Sequence, residues 1–163
     1  KISFNRFQKF NKGIKMKKYI ILIVMLSFFI VGCSEKKFYL SGEYYKSDVI
    51  EINDNELDKL LNSKKSFILF VYNPFCNFKV SCEEVFTNTL KNENITLLKI
   101  PFDNFKSSKF YKKVKYGPSI LIINDGKLVK YLDASDDNDY DIYQNEEKFK
   151  EWLSLYIYLS KRD

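Results

Sequence analysis

Six consecutive residues, Phe67-Ile68-Leu69-Phe70-Val71-Tyr72, constrain this chain more than any other stretch. An apolar run of that length without polar alternation suits a strand buried on both faces, the centre of a sheet covered from above and below. Residues 119–123 form a second such run. The turn Asn124-Asp125-Gly126-Lys127 folds that run back onto residues 128–132 as a hairpin. Helical patterns lie between. Asn53 with Glu56 reads as a capping box ahead of Leu57, Leu60 and Leu61 on one face. Ser81 with Glu84 repeats the box ahead of Cys82, Val85, Phe86 and Leu90. Phe105, Phe110, Tyr111 and Val114 predict a poorer third helix, and Phe149, Trp152, Leu153, Tyr156 and Ile157 a terminal one. Residues 48–52 and 95–102 read as strands. The order β-α-β-α-β-α-β-β-α predicts an α/β fold, a central mixed β-sheet with helices on both faces.

The front of the chain has a different character. Met16-Lys17-Lys18 gives a basic start, and the apolar run 19–31 holds 13 residues. As a helix that run would reach about 20 Å, short of the roughly 30 Å of a bilayer core. A cleaved secretory signal fits better than a spanning helix. Ile30-Val31-Gly32-Cys33 resembles the lipobox of bacterial prolipoproteins, in which the residue before the cysteine is small and the cysteine takes a diacylglyceryl thioether. The expected organisation is an upstream stretch 1–15 that precedes the true start, a signal peptide 16–32, lipidated Cys33 with a tether over 33–47, and one domain over 48–163. That resemblance implies a lipid-anchored protein on the extracytoplasmic face of the cell membrane.

The charge follows this division. The chain carries 27 basic and 21 acidic residues, a formal net charge of +6. Residues 1–32 hold seven of the basic residues and none of the acidic ones, which leaves 20 basic against 21 acidic, a net −1, on the rest. The excess belongs to the leader and is no footprint for nucleic acid. The 131 residues from Cys33 onward suffice for one domain with a real core. The chain shows no internal repeat, and a monomer is expected.

A cysteine sits just beyond the first apolar strand, in Asn73-Pro74-Phe75-Cys76, and a proline just before the second, in Tyr116-Gly117-Pro118-Ser119. Cys76 and Pro118 are 42 positions apart. Together these segments resemble the thioredoxin-like proteins, where a cysteine at a strand-to-helix junction faces a proline that opens the next hairpin. The resemblance covers about residues 48–160. It implies that Cys76 is a nucleophilic thiol, that Pro118 is cis and lies opposite it, and that the backbone beside Gly117 and Pro118 shapes a groove for an extended substrate. A thiol at a helix N-terminus is acidified by unpaired N–H groups and the helix dipole, and Lys79 would stabilise the thiolate further.

The departures from that family are specific. The second position of its Cys-x-x-Cys pair is Lys79, and the next cysteine is Cys82. Aligned without gaps, the family's buried acid falls on Phe70. The chain has no histidine to act as a base. If residues 76–82 were all helical, the two Cα atoms would stand about 9 Å apart along the axis, beyond the roughly 7 Å limit of a disulfide. A helix starting at Ser81 would free a loop that allows the bridge. Against it, Cys82 falls on an apolar stripe, where a thiol is a small buried hydrophobe. Both readings stay open from sequence.

Two functions therefore compete. One is a thiol–disulfide oxidoreductase acting on envelope proteins, with Cys76 attacking and Cys82 or an external thiol resolving. The other is a redox-silent module that holds a protein or peptide partner in the groove; bacteriocin-export accessory proteins, also thioredoxin-like, are one such relative. No cofactor and no metal is expected. Asp137, Asp139 and Asp141 match the first ligand spacings of a calcium loop, but Ile142 stands where its turn needs glycine and Lys148 where it needs glutamate. Three cysteines without histidine make a poor zinc set.

Overall fold

The computed structural model describes residues 36–73 and 81–161. The expected signal peptide and the expected site residues Cys33, Cys76 and Lys79 lie outside the described residues. The described residues hold nine regular elements. They are β1 (Val49–Glu51), α1 (Asp54–Asn62), β2 (Phe67–Tyr72), α2 (Cys82–Asn92), β3 (Leu97–Pro101), α3 (Phe102–Phe105), β4 (Ser119–Asn124), β5 (Lys127–Tyr131) and α4 (Glu146–Tyr156). Short 3-10 turns occupy Gly42–Tyr44 and Ile142–Gln144.

The strands form one mixed sheet in the order β1-β3-β2-β4-β5. β1 and β3 run parallel, as do β3 and β2, while β4 and β5 are antiparallel to their neighbours. β2 lies at the centre, and five of its six residues are buried, as its unbroken apolar run requires. The crossovers explain the two helical layers. The chain moves from β1 across to β2 through α1, then back to β3 through α2. Right-handed crossovers in opposite directions put α1 and α2 on opposite faces. On the α2 face the Phe86 ring meets Phe70 edge-on at 5.4 Å and Phe149 of α4 at 4.6 Å. Side chains alternate along β2, so Phe67 points the other way, where Tyr44 packs on it at 6.0 Å.

Local signals set the element ends. Asn53 and Glu56 form the expected reciprocal capping box on α1. The Ser81 side chain accepts from the Glu84 N–H at the start of α2, and Asn145 does the same from Lys148 at the start of α4. In the hairpin, Asp125 and Gly126 have φ of 49° and 70°, the left-handed pair that a tight two-residue turn needs.

Some expectations are corrected. The third helix expected over Phe105 to Val114 does not form; the four-residue α3 ends at Phe105 and a series of turns follows, because the apolar residues come too sparsely to propagate a helix. The strand expected over 95–102 narrows to Leu97–Pro101, since Phe102 opens α3. The strand expected over 48–52 narrows to the three exposed residues of β1 at the edge of the sheet. The tether expected over 33–47 is shorter. Phe38 pairs with Ile157 through the Phe38 N–H to the Tyr156 carbonyl (3.1 Å) and the Tyr158 N–H to the Phe38 carbonyl (3.0 Å). Leu40 and Tyr44 are buried in the core, so the fold already includes these residues.

Candidate functional site

The site is built where β2 ends and β4 begins. Val71 pairs with Ser119 across the antiparallel ladder, which brings Gly117 and Pro118 to the C-terminal end of β2. The Gly117–Pro118 peptide bond is cis, as the resemblance implied. Gly117 is wedged. A Cβ there would stand 3.1 Å from the Phe102 ring and 3.5 Å from both the Asn73 Cβ and the Val71 carbonyl oxygen. Cys76 and Lys79 belong to the stretch between Asn73 and Ser81, outside the described residues.

Two hydroxyls brace the proline. The Ser119 hydroxyl donates to the Tyr116 carbonyl at 2.7 Å. Tyr143, fully buried, shares its phenolic proton between the carbonyls of Pro118 at 2.8 Å and Leu132 at 3.0 Å. Burial pushes the Tyr143 phenol far above its ordinary value, so it stays a donor. Sequence reading missed Tyr143. Its only signal is an aromatic between the Asp-rich loop and the last helix.

Cys82 is the first residue of α2, 3% exposed, on the stripe that Val85, Phe86 and Leu90 continue. Glu83 and Glu84 follow it in the first helical turn. Phe70, at the position of the family's acid, is buried and supplies no carboxylate. The charge near this end of the sheet lies elsewhere. Lys99, the register partner of both Glu51 and Phe70, has a side chain only 14% exposed. It forms an ion pair with Glu83 and stands 4.8 Å over the Tyr72 ring. Burial, then Glu51, then Glu83 push the Tyr72 phenol up. A lone lysine inside the apolar stretch 95–100 was the available signal for this cluster.

The acidic loop folds on itself. The Asp139 carboxylate accepts from the Asp133 N–H at 2.8 Å, Asp136 accepts from the Asn138 N–H at 2.9 Å, and Asp141 pairs with Lys148. These carboxylates cap their own turns. Among the described residues no group of three or more His, Cys, Asp or Glu side chains is placed to hold a metal ion.

The described region is similar to the thioredoxin of Halobacterium salinarum NRC-1, solved as an asparagine-to-glutamine mutant. The TM-score is 0.51 and the identity 17%, over 71% of this chain and 96% of that one. The domain has a thioredoxin fold. Similarity extends to oxidised thioredoxin from Plasmodium falciparum, with TM-score 0.49 and 13% identity over 66% of this chain and 96% of that one. It extends also to a thioredoxin from Nicotiana alata, with TM-score 0.47 and 19% identity over 68% and 95%. No family model and no curated protein matches the chain. At these identities the thioredoxin fold is what is shared, and chemistry has to be argued from this chain's own residues.

Proposed function

We propose that this thioredoxin-fold protein is a lipid-anchored extracytoplasmic protein that exchanges thiols and disulfides with envelope or secreted proteins through Cys76. The observation that carries this reading is the place of Gly117 and Pro118 at the end of β2, where Gly117 packs against Asn73, a residue three positions before Cys76 in the chain. A proline in that place leaves the neighbouring backbone open to pair with an extended peptide, as in strand addition. The Cys76 thiolate attacks one sulfur of a substrate disulfide and expels the other as a thiolate, which gives a mixed disulfide. A second thiol, Cys82 or an external one, then attacks the Cys76 sulfur, releases the substrate thiolate and leaves a new disulfide. Lys79 would favour the Cys76 thiolate by charge. Anchoring would come from lipid on Cys33, and no cofactor is needed for the exchange.

A second reading is a redox-silent module that holds a protein or peptide partner in the same groove, for example in a bacteriocin-export accessory role. The burial of Cys82 at 3% exposure favours it, because a resolving thiol has to meet the disulfide it opens. So does Phe70, which supplies no proton acceptor.

Thiol counting by intact mass separates the two. The protein is alkylated natively, then after reduction, then after denaturation. Cys76 and Cys82 both blocked natively and both freed by reductant would support exchange through a Cys76–Cys82 pair. Cys76 alkylating at once while Cys82 reacts only after denaturation would favour a one-thiol or binding role. A Cys76→Ser variant that keeps every activity and every partner would remove the exchange reading.

A further inference from the structure

The described chain begins at one pole of the domain, and Gly117 and Pro118, where the proposed groove would form, lie at the other. Ser41 donates its N–H to the Ser66 carbonyl at 2.8 Å, and the Ser66 N–H donates to the Ser41 hydroxyl at 2.9 Å. The incoming chain is therefore fixed at the start of β2, while Gly117 packs at its end. At roughly 3.3 Å per residue, the strand between separates them by about 20 Å. Helix α4 gives the same result independently. It starts beside the 3-10 turn whose Tyr143 holds the Pro118 carbonyl, and it ends at Tyr156, next to Ile157, the partner of Phe38. Eleven helical residues span about 16 Å.

The pole where the chain enters has its own surface. The Tyr39 and Tyr158 rings stack at 4.3 Å, and the Tyr45 hydroxyl donates to the Tyr158 carbonyl at 2.9 Å. Leu155 is 60% and Tyr158 42% exposed. Lys36, Lys37 and Lys161 are exposed beside them. An open groove there is lined by Lys37, Tyr45, Tyr158 and Lys161, among others. Tyrosines with an apolar body and a wet hydroxyl suit the headgroup level of a bilayer, and lysines suit its anionic lipids.

We infer that this Tyr39/Tyr158/Lys37/Lys161 surface rests on an anionic membrane interface and that the Gly117–Pro118 groove faces away from the membrane. The inference rests on the lipoprotein reading of Cys33. From Cys33 to Phe38 is five residues, which reach at most about 18 Å when fully extended. A lipid on Cys33 thus keeps Phe38 close to the bilayer, and the aromatic and basic side chains around Phe38 are the ones that arrive with it. The groove then meets proteins in the extracytoplasmic space rather than segments within the membrane.

The test uses the full lipidated chain in vesicles of phosphatidylcholine and phosphatidylglycerol with brominated acyl chains, which quench nearby tryptophan. Tyr158→Trp places a probe at the tether pole, and Tyr116→Trp places one beside the groove, at a residue 56% exposed. Buried Trp152 gives the background common to both. The expected result is a loss of emission from the Tyr158→Trp probe and none beyond background from the Tyr116→Trp probe. Lys37→Glu with Lys161→Glu should reduce that loss in anionic vesicles and leave it unchanged in pure phosphatidylcholine. Quenching of the Tyr116→Trp probe, or no quenching of the Tyr158→Trp probe in protein that floats with the vesicles, overturns the orientation. A chain whose intact mass lacks lipid and that does not float overturns the lipoprotein reading itself, and the orientation falls with it.

Discussion

The Tyr143 hydroxyl donates to the Pro118 carbonyl at 2.8 Å across 25 residues of chain, and it reaches the Leu132 carbonyl at 3.0 Å with the same proton. One buried phenol thus ties the start of β4, the end of the hairpin and the turn before α4. Tyr143→Phe keeps the ring against Phe86 at 5.5 Å and removes the hydroxyl that serves both carbonyls. Leaving buried acceptors short of a donor costs about 1–3 kcal/mol. Thermal unfolding of the variant is expected several degrees lower, with the same far-UV spectrum. An unchanged midpoint would mean that these carbonyls do not depend on Tyr143.

The same residue sets an alkaline limit. Burial holds the Tyr143 phenol far above its ordinary value, and burial also raises Tyr44. In the unfolded chain both titrate near pH 10. Above that pH the unfolded state loses protons that the folded state keeps, so stability falls as pH rises. Below it both states are protonated and the contribution is constant. The urea midpoint is therefore expected to hold up to about pH 9 and to drop beyond about pH 10, less steeply in Tyr143→Phe. A wild-type midpoint that stays level through that range would contradict the assignment.

How legible this was in the sequence depends on the range of the interaction. The central strand, the caps at Asn53 and Ser81, the Asp125-Gly126 turn and the terminal helix are written in periodicity and turn chemistry over a few residues. The third helix misled because four apolar residues can share a stripe without enough turns to propagate. Leu40 and Tyr44 looked like tether because short segments that dock by one bridge, such as Phe38 with Ile157, leave no periodic mark. Gly117 and Pro118 were singled out as candidate site residues only through a family resemblance. Tyr143 and the Lys99–Glu83 pair were not visible, since each joins residues distant in sequence.

The Lys99–Glu83 pair predicts an asymmetry. Lys99 is nearly enclosed, whereas Glu83 has a side chain 45% exposed. Glu83→Gln leaves a mostly buried ammonium without its carboxylate, and a hydrogen bond to a charged group is worth about 1.5–3 kcal/mol. Lys99→Met keeps the stem against Tyr72 and buries no charge, and such replacements are often neutral or stabilising. Chemical denaturation is expected to show Glu83→Gln clearly destabilised and Lys99→Met near wild type, with the double variant closer to Lys99→Met. Equal losses for the two single variants would show that Lys99 is well enough solvated to stand alone.

The hairpin turn gives the strictest steric prediction. Gly126 has φ of +70°, and a Cβ there would lie 2.1 Å from the Leu61 carbonyl oxygen, which is backbone at the end of α1. The Gly126 N–H also donates to the Lys65 carbonyl at 3.0 Å, so the turn cannot retreat without breaking that bond. Ser66 locks the same place, its hydroxyl donating to the Asn124 side chain at 2.9 Å and accepting from the Asp125 N–H at 3.0 Å. Gly126→Ala must therefore shift β4 and β5 against α1, and the loss should exceed the roughly 1 kcal/mol of a simple conformational penalty. Gly42→Ala is the matched control. Its added Cβ would meet nothing within 4 Å, and its φ lies outside the left-handed range. That variant should unfold at or above the wild-type midpoint, because alanine narrows the unfolded ensemble. If both variants melt together with wild type, the turn is looser than this packing requires, and α1 does not clamp the hairpin.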